Sequence, residues 1–335
     1  MPPCTLENLR ELASTGFSRE DFSPLGSNRT MVVAMGALAQ LRLAPDRERI
    51  ADWLKSLPCP VIAVGPHPKD ADLLAACDAV ASSEVELSAM RANIDRAPFA
   101  AMVLVQTLRA TATLPVMEAL LVESLAYGTL QAGPEYTAWL RSRKKPKVPQ
   151  GRDSGPAVWV ERSGDTLALR LNRPGRLNAI SVEVRDALCD GLQLAISDPA
   201  IAAVSMSGEG RCFSIGGDLD EFGSAPDPAS AHAVRSVRLP AFLLSRCADR
   251  AEFRLHGACI GAGVELPSFA RRVTAARDAF FQLPEIRYGL IPGAGGCVSI
   301  PRRIGRHRTA YLALSARKIG AAKALQWGLI DALSD

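Results

Sequence analysis

The sequence has little net charge and no apolar run long enough to span a membrane. The net charge is only +4 over 335 residues, and the basic residues are scattered, so a nucleic-acid partner is not expected. The one dense basic run, residues 141–147, is interpreted as a solvated linker or helix end, with a modest role in binding an anionic ligand as the alternative. No signal peptide is visible after Met1. A soluble cytoplasmic protein without a membrane partner is therefore expected.

Metal-binding and nucleotide-binding signatures are also absent from the sequence. None of the eight cysteines forms a C-x-x-C pair or lies in a Cys/His cluster with zinc spacing. Most lie in apolar surroundings, as Cys59 does within residues 58–62, which is typical of buried thiols in a reducing compartment. Neither a G-x-G-x-x-G dinucleotide fingerprint with its distal acid nor a Walker A sequence is present. No metal site is predicted.

A stretch rich in proline and glycine divides the chain. Residues 146–156 contain three prolines and two glycines, which cannot sustain a helix or a central strand. The division falls near residue 151 and gives two regions, 1–150 and 151–335. The length allows two domains, or one domain with a large extension.

Hydrophobic periodicity predicts alternating strands and helices after this linker and mostly helices before it. Downstream, the predicted elements are strands at 158–162, 166–171, 202–207 and 253–256, and a helix at 181–196 that begins at Ser181 as N-cap. Upstream, they are strands at 30–35 and 61–64, helices at 46–56 and 85–95, and a nearly continuous helical stretch at 98–143, broken around 113–115. The alternation indicates an α/β fold.

Three glycine-rich segments share one form, in which a strand runs into glycines and an amphipathic stretch follows. They are Cys212–Leu219, His256–Leu266 and Gly289–Gly296. Small residues at such turns leave backbone N–H groups free to point at a ligand. Two such turns could direct two amides at one oxygen and form an oxyanion hole. For any one segment alone, a tight turn or a close helix contact is the simpler interpretation.

The order and identity of five segments resemble the enoyl-CoA hydratase (crotonase) superfamily. The segments are residues 171–180, 208–222, 256–266, 281–296 and 321–332, and the resemblance covers residues 158–335. It implies an α/β fold of the crotonase-like (ClpP/crotonase) type, a ββα superhelix, here with a helix-rich N-terminal region.

The resemblance also implies roles for four residues. The amides of Gly217 and Ala262 match the two oxyanion-hole donors, which would polarise the thioester carbonyl of an acyl-CoA. Glu265 and Glu285 match the two catalytic glutamates, which would hold one water and exchange acid and base roles. Taken alone, Glu265 would be a helix-start carboxylate and Glu285 an exposed loop acid; their shared place in the motifs favours the catalytic interpretation.

The same resemblance implies a substrate site and an activity. The substrate-binding residues it implies are Asn178, Ala179, Ile215, Gly216, Gly217, Asp218, Leu219, Gly261, Pro284 and Gly293, with the acyl pocket wall in residues 222–245. The substrate is an acyl-CoA thioester, so coenzyme A enters as part of the substrate and no separate cofactor is expected. The expected activity is hydration of a 2-enoyl-CoA to a 3-hydroxyacyl-CoA, a lyase reaction of fatty acid metabolism, in a homo-oligomer that is a trimer or hexamer. The alternatives are another acyl-CoA reaction of the superfamily (isomerase, hydrolase or lyase) and a non-catalytic acyl-CoA-binding subunit.

Other polar residues near the motifs are expected to have structural roles. Asp218 is expected to cap the helix that follows it, and His256 to be structural because the glutamates fill the acid and base roles. Ser214 lacks the G-x-S-x-G context of a nucleophile. Tyr288 could face the acyl pocket or pack in the core.

In the family, a C-terminal helical segment would follow the position of Asp335. Residues 94–147 of this sequence resemble that segment. Residues 57–65 and 74–82 resemble fragments of the family's central strands. Region 1–150 is therefore interpreted as a degenerate crotonase-like unit that lacks both glutamates and both oxyanion turns, with an unrelated helical extension as the alternative. We expect residues 94–147 to pack against the catalytic region 151–335 and to cover its acyl pocket or a subunit interface.

Overall fold

A computed structural model describes residues 3–14, 19–41, 45–65, 74–143 and 153–334. Residues 146–152 of the predicted linker 146–156 lie outside this range. In the first part of the chain the elements are α1 (Leu6–Ser14), β1 (Met31–Ala34), α2 (Met35–Leu41), α3 (Arg47–Ser56), β2 (Val61–Val64), β3 (Ala79–Ala81), α4 (Glu84–Arg96), α5 (Pro98–Ala110), α6 (Val116–Gln131) and α7 (Pro134–Ser142).

The second part of the chain alternates strands and helices, as predicted. Its elements are β4 (Val158–Ser163), β5 (Thr166–Leu171), α8 (Val182–Ser197), β6 (Ala203–Gly208), α9 (Pro228–Arg238), α10 (Pro240–Arg246), β7 (Ala251–Leu255), β8 (Ala258–Ile260), α11 (Ala262–Glu265), β9 (Arg272–Ala276), β10 (Phe280–Gln282), α12 (Gly296–Ile304), α13 (Arg306–Ser315), β11 (Ile319–Gly320), α14 (Ala321–Trp327) and β12 (Ala332–Ser334).

These strands form three sheets. A six-stranded sheet has the order β12-β9-β7-β6-β5-β4 and is parallel except for the β4–β5 hairpin, while β11-β10-β8 form a smaller layer beside it. The N-terminal strands form a separate parallel sheet in the order β1-β2-β3. The fold therefore mixes helices and sheets in the α/β manner expected from the sequence.

Local sequence explains why the elements around the site begin and end where they do. Leu167, Leu169 and Leu171 alternate inward along β5, which is the period-2 pattern of a half-buried strand. Ser181 accepts a hydrogen bond from the Val184 amide at 3.3 Å and caps α8, as predicted. The helical stretch 98–143 is broken twice, before Val116 and again before Pro134; only the first break had been predicted. The second follows because Gly133 and Pro134 end one helix and start the next.

The three-residue strand β3 lies within residues 74–82, which were expected to resemble a fragment of a central strand, although Ala79–Ala81 is too short to show a period of its own. Its place is decided by tertiary pairing with β2. The N-terminal sheet lies between two hydrophobic clusters. Val32 and Ile62 face the larger cluster, which includes residues of the second part of the chain, while Met31 and Val61 face a cluster formed by residues 4–77.

The helices α4–α7 pack against the second part of the chain, as expected for residues 94–143; residues 144–147 of that expected segment lie outside the described residues. Leu104, Leu108 and Leu120 belong to the same hydrophobic cluster as Phe281 and Val298. Polar contacts join the same elements, because the side-chain amide of Asn93 donates to the carbonyl oxygens of Leu314 and Ser315 at 2.9 and 3.0 Å. These helices therefore share a core with residues 153–334.

Candidate active site

Two adjoining cavities open between the glycine-rich turns and helix α6. The first has a volume of about 270 Å³ and the second about 370 Å³. Gly217, Asp218, Phe222 and Glu285 line both. We call the first the acyl chamber and the second the entrance chamber. Residues from the predicted pocket wall 222–245 line the acyl chamber, among them Phe222, Gly223, Ser224, Ala225, Arg235, Leu239 and Pro240.

The first glycine-rich turn is held by a buried network. The side-chain amide of Asn178 donates to the carbonyl oxygens of Glu209 and Cys212, and its oxygen accepts from the Arg173 amide. Ser214 Oγ donates to the Asn178 carbonyl at 2.7 Å and accepts from the Gly216 amide at 3.1 Å. Every polar atom of the Asn178 side chain is used in this way, so its role is to shape the turn.

The two predicted oxyanion turns pack against each other. Gly216 has φ +85°, and a Cβ there would lie 2.6 Å from the Ile260 carbonyl oxygen and 3.3 Å from the Ala262 nitrogen. Only glycine can therefore bring the turns this close. Within the described residues, the amides of Gly217 and Ala262 donate to no protein acceptor, and both residues line the acyl chamber. Both amides are thus available to an oxygen of a ligand.

Glu265 is a buried carboxyl at the end of the short helix α11. Its side chain is only 2% exposed, and Oε2 accepts hydrogen bonds from the amides of Ala294 and Gly296 at 2.7 and 2.9 Å. Burial raises the pKa of Glu265 to about 7, although the two amides favour its ionised form. A carboxyl with this pKa can gain or lose a proton near neutral pH.

Glu285 follows strand β10 and lines both chambers. Its Oε2 is buried and has no hydrogen-bond partner within the described residues. Burial, followed by the nearby charge of Glu265, holds the pKa of Glu285 well above its ordinary value. A Cβ at Gly261 would lie 2.7 Å from Glu285 Oε1 and 3.9 Å from Glu265 Oε1, so both carboxyls face the same small space. The hydrogen bonds at Glu265 favour the charge there and leave the proton on Glu285.

A third buried carboxyl comes from the N-terminal region. Glu123 on helix α6 is 1% exposed and accepts hydrogen bonds from the amides of Gly295 and Cys297 at 2.7 and 2.8 Å. Of the four successive amides of residues 294–297, the first and third therefore donate to Glu265, and the second and fourth donate to Glu123. Burial, and then the charge of Glu265, raise the pKa of Glu123 well above its ordinary value. The sequence analysis did not identify Glu123; a single acid within the apolar run 119–126 was the available signal.

Helices α6 and α7 also supply part of the wall of the acyl chamber. Tyr127, Gln131 and Tyr136 line it, and a side chain at Gly293 would overlap the Tyr127 ring. Trp139 packs on Tyr288 with ring centroids 4.9 Å apart, and Tyr288 lines the entrance chamber. The residues expected to resemble the family's tail thus complete the cavities within one chain.

The remaining predicted substrate-binding residues are distributed over the two chambers, with one exception. Those that line the entrance chamber are Ala179, Ile215, Gly216, Gly217, Asp218, Leu219, Gly261 and Pro284. Gly293 lines the acyl chamber. Asn178 lines neither chamber and is fully buried, because its side chain is used in the first turn.

The other polar residues near the motifs make structural contacts. Asp218 accepts a hydrogen bond from the Asp220 amide at 3.0 Å, as a cap, and forms an ion pair with Arg176. His256 Nε2 lies 2.9 Å from the Gly210 carbonyl oxygen. All eight cysteines are free and buried, as predicted. Within the described residues, no cluster of His, Cys, Asp and Glu side chains has the arrangement of a metal site, and no helix is long and apolar enough to cross a membrane.

Sequence comparison places the second part of the chain among known acyl-CoA proteins. The family model described as enoyl-CoA hydratase/isomerase matches residues 161–334. The chain is 34% identical over 175 residues to 2,3-dehydroadipyl-CoA hydratase of Escherichia coli strain K12, over 51% of this chain and 67% of that protein. It is 34% identical over 181 residues to cyclohexa-1,5-dienecarbonyl-CoA hydratase of Thauera aromatica, over 53% of this chain and 67% of the relative. It is also 34% identical to 1,2-epoxyphenylacetyl-CoA isomerase of Escherichia coli strain K12, over 49% of this chain and 64% of the relative.

Solved structures give the same result for the fold. An enoyl-CoA hydratase from Mycobacterium smegmatis superposes with a TM-score of 0.50 at 26% identity, over 53% of this chain and 70% of that chain. An enoyl-CoA hydratase/isomerase from Mycobacterium paratuberculosis superposes with a TM-score of 0.50 at 27% identity, over 55% of this chain and 74% of that chain.

Proposed function

Because the chain belongs to the enoyl-CoA hydratase/isomerase family, we propose that it hydrates a 2-enoyl-CoA to a 3-hydroxyacyl-CoA. One observation carries the proposal: two buried carboxyls, Glu265 and Glu285, face one space beside two amides that have no acceptor among the described residues. The proposal requires no cofactor, because acid–base groups and amides suffice and coenzyme A belongs to the substrate.

The reaction begins with the thioester oxygen at the amides of Gly217 and Ala262. These donors withdraw electron density from the conjugated double bond and make the β-carbon electrophilic. Ionised Glu265 removes a proton from water, and the hydroxyl adds to the β-carbon. The electron pair of the double bond moves to the thioester oxygen, where the amides stabilise the enolate.

Glu285 then completes the addition. Its carboxyl holds a proton because burial and the charge of Glu265 raise its pKa. It donates that proton to the α-carbon as the enolate collapses, and the product carries one whole water molecule. Glu265 is left protonated and Glu285 ionised, so a proton returns from the first to the second before the next turnover.

The entrance chamber is proposed to hold the coenzyme A part of the thioester. Arg287 lines this chamber and forms no ion pair within the described residues, so its charge suits the phosphate groups of coenzyme A. We further propose, as expected from the sequence, a homo-oligomer of trimer or hexamer size and a cytoplasmic location. Sedimentation analysis of the full chain tests the first, and fractionation of expressing cells tests the second.

The decisive experiment is an assay of the purified full chain with crotonyl-CoA. Loss of the ultraviolet absorbance of the conjugated thioester should occur, and Glu265→Gln and Glu285→Gln should each lower the rate by about 10²–10⁴-fold. Glu161→Gln, a change at an exposed carboxylate in the same region, is the matched control. Unchanged turnover in both active-site variants would refute the assignment.

An isomerase is the second candidate, because a base and a protonated acid at one space can also move a proton between two carbons. The relative named as an isomerase is 34% identical to this chain, as are the two relatives named as hydratases, so it supports this candidate equally. Mass spectrometry of the product in water labelled with oxygen-18 distinguishes the two. A hydratase incorporates labelled oxygen, whereas an isomerase returns a product of unchanged mass.

A further inference from the structure

Of the two arginines that line the acyl chamber, one has only neutral partners within the described residues. The charged residues that line the chamber are Arg185, Asp218, Glu221, Arg235, Glu265 and Glu285. Arg185 is paired with Asp186 at 2.8 Å, and Asp218 is paired with Arg176 at 3.0 Å. Glu221 accepts the Val182 amide at 2.7 Å. Arg235 forms no ion pair within the described residues.

The partners of Arg235 come from helix α6. Its Nε donates to Ser124 Oγ at 2.9 Å, Nη2 to the Ser124 carbonyl at 3.2 Å, and Nη1 to Gln131 Oε1 at 3.0 Å. The guanidinium lies 4.8 Å from the centroid of the Tyr127 ring. Three of its five N–H groups are therefore used, and the remaining two are available to a ligand.

The charge of Arg235 is poorly compensated inside the protein. Burial lowers the pKa of this guanidinium, although Tyr127 and Glu123 act in the opposite direction. Both carboxyl oxygens of Glu123 already accept backbone amides. Arg235 is half-buried. A cation partly removed from water without a counter-ion is unfavourable, and an anionic group of a ligand would offset that cost.

The position of Arg235 relates this charge to the acyl chain. In the proposed reaction the thioester lies at the amides and the double bond at Glu265 and Glu285. The acyl chain beyond the β-carbon must then continue into the rest of the chamber. Tyr127 connects the reacting end of the chamber with Arg235. One part of its ring packs against Gly293, near Glu265, and the Arg235 guanidinium lies over the same ring. The wall near Arg235 is polar, with Gln131 and the Tyr136 hydroxyl.

We propose that the acyl chamber accepts an enoyl group with a second, terminal carboxylate, and that Arg235 binds this carboxylate. The proposal rests on the proposed function for the position of the thioester. A guanidinium fits a carboxylate because its N–H groups match the two oxygens in one plane. Arg235 then selects the half-thioesters of dicarboxylic acids over alkyl chains of the same length.

Binding can be tested without catalysis. Isothermal titration of the full chain compares adipyl-CoA with hexanoyl-CoA, and suberyl-CoA with octanoyl-CoA, which are saturated and cannot be hydrated. In at least one pair the carboxylate-bearing ester should bind about 10–100-fold more tightly, the effect of a charge-assisted hydrogen bond. Equal affinity within both pairs would overturn the proposal, whether or not the chain hydrates any ester.

Variants then assign the preference to Arg235. Arg235→Gln should remove it, Arg235→Lys should retain part of it, and Arg246→Gln, at an exposed arginine on the next helix, should leave it intact. If Arg235→Gln weakens both members of a pair equally, the arginine acts on coenzyme A or on the fold and the proposal is wrong. Thermal melting shows whether Arg235→Gln is folded, and Arg235→Lys decides the question if it is not.

Turnover separates this proposal from the hydratase proposal. The unsaturated forms of the same esters, with crotonyl-CoA, give the ratio of kcat/KM values for carboxylate and alkyl ends. Hydration of all esters without a preference would refute the Arg235 proposal and leave the hydratase proposal standing. Tight binding of the carboxylate esters without hydration of any ester would refute the hydratase proposal and leave the Arg235 proposal standing.

Discussion

Asp78, beside the N-terminal sheet, and the two motif glutamates are buried acids in opposite electrostatic settings. Asp78, before strand β3, is 1% exposed and contacts Arg109 and Arg306, so its charge is compensated. Glu265 and Glu285 are buried in the second part, and neither has an arginine or lysine partner within the described residues. A buried acid with two cations stabilises an interface, whereas buried acids without cations retain raised pKa values and can exchange protons.

The turns that follow the strands also differ between the N-terminal sheet and the second part of the chain. In the N-terminal sheet, β1 continues directly into helix α2 at Met35, and the space beside Gly65 is occupied by the Met35 side chain. In the second part, β8 runs through Gly261 to Ala262, whose amide has no protein acceptor within the described residues. Similar parallel strands thus give a packed end in one region and a ligand-sized space in the other.

The largest expected effect comes from separating the two regions. Residues 151–335 expressed alone should be insoluble or inactive, because α4–α7 supply part of the shared core and several residues of the site, among them Glu123 and Tyr127. Large exposed apolar patches promote aggregation. Solubility, size-exclusion chromatography and the crotonyl-CoA assay measure the effect. A longer fragment, residues 84–335, keeps these helices and should retain more activity. A soluble, monomeric and fully active 151–335 fragment would contradict this prediction.

The second prediction concerns the backbone amide of Ala262, which has no protein acceptor within the described residues. Ala262→Pro removes one donor, and proline is tolerated at the first position of a helix. The hydration rate should fall by about 10²–10³-fold, with coenzyme A binding retained. Ala262→Gly keeps the amide and is the control. Circular dichroism must show that the proline variant is folded; a folded variant with full activity would exclude this donor.

The third prediction concerns the stability cost of an uncompensated acid. The pKa of Glu265 is about 7 in the folded protein, against an ordinary value of 4.5. Well below pH 4.5 the Glu265 carboxyl is neutral in both the folded and the unfolded state, so its burial as a charge does not lower the free energy of unfolding. As pH rises toward 7 the unfolded chain ionises first, so stability is lost. Glu265→Gln should be more stable than the parent by about 3 kcal/mol at pH 8, since one pKa unit is worth about 1.4 kcal/mol.

Urea denaturation at a series of pH values measures this difference. It should shrink as pH falls and disappear near pH 4, the range in which Glu265 is neutral in both states. A stability difference that does not change with pH would show that Glu265 carries no raised pKa.

The smallest expected effect concerns Glu123, the acid that connects the two regions. Glu123→Gln should lower kcat by about tenfold, because a displaced 294–297 turn moves Glu265, while KM changes little. Loss of a nearby negative charge should also move the basic limb of the pH–rate profile to lower pH, since Glu123 helps to raise the pKa of Glu285. Glu118→Gln, at an exposed acid on the same helix, is the control. An unchanged profile would limit Glu123 to a structural role.

Much of the second part of the chain could be predicted from local pattern. The β4–β5 hairpin, the capped helix after Ser181 and the glycine turns depend on residues close in sequence, so periodicity and turn chemistry identify them. The motif residues Gly217, Ala262, Glu265 and Glu285 were implied by the family resemblance and not by local pattern, and the fold brings them to one cavity. Asn178 was assigned to the substrate because it lies in a motif, yet its side chain is used to hold the turn.

The sequence alone determined which segments form strands, helices and glycine turns, because those preferences act over a few residues. Only the tertiary structure decided which buried acids receive a counter-ion and which do not. Glu123 reaches the site from helix α6, distant in sequence from the motifs. Arg235 finds its partners Ser124 and Gln131 more than 100 residues away, and Asp78 meets Arg306 across 228 residues. The pKa of a carboxyl depends on burial and on charges within a few ångströms, and such distances exist only after the chain has folded.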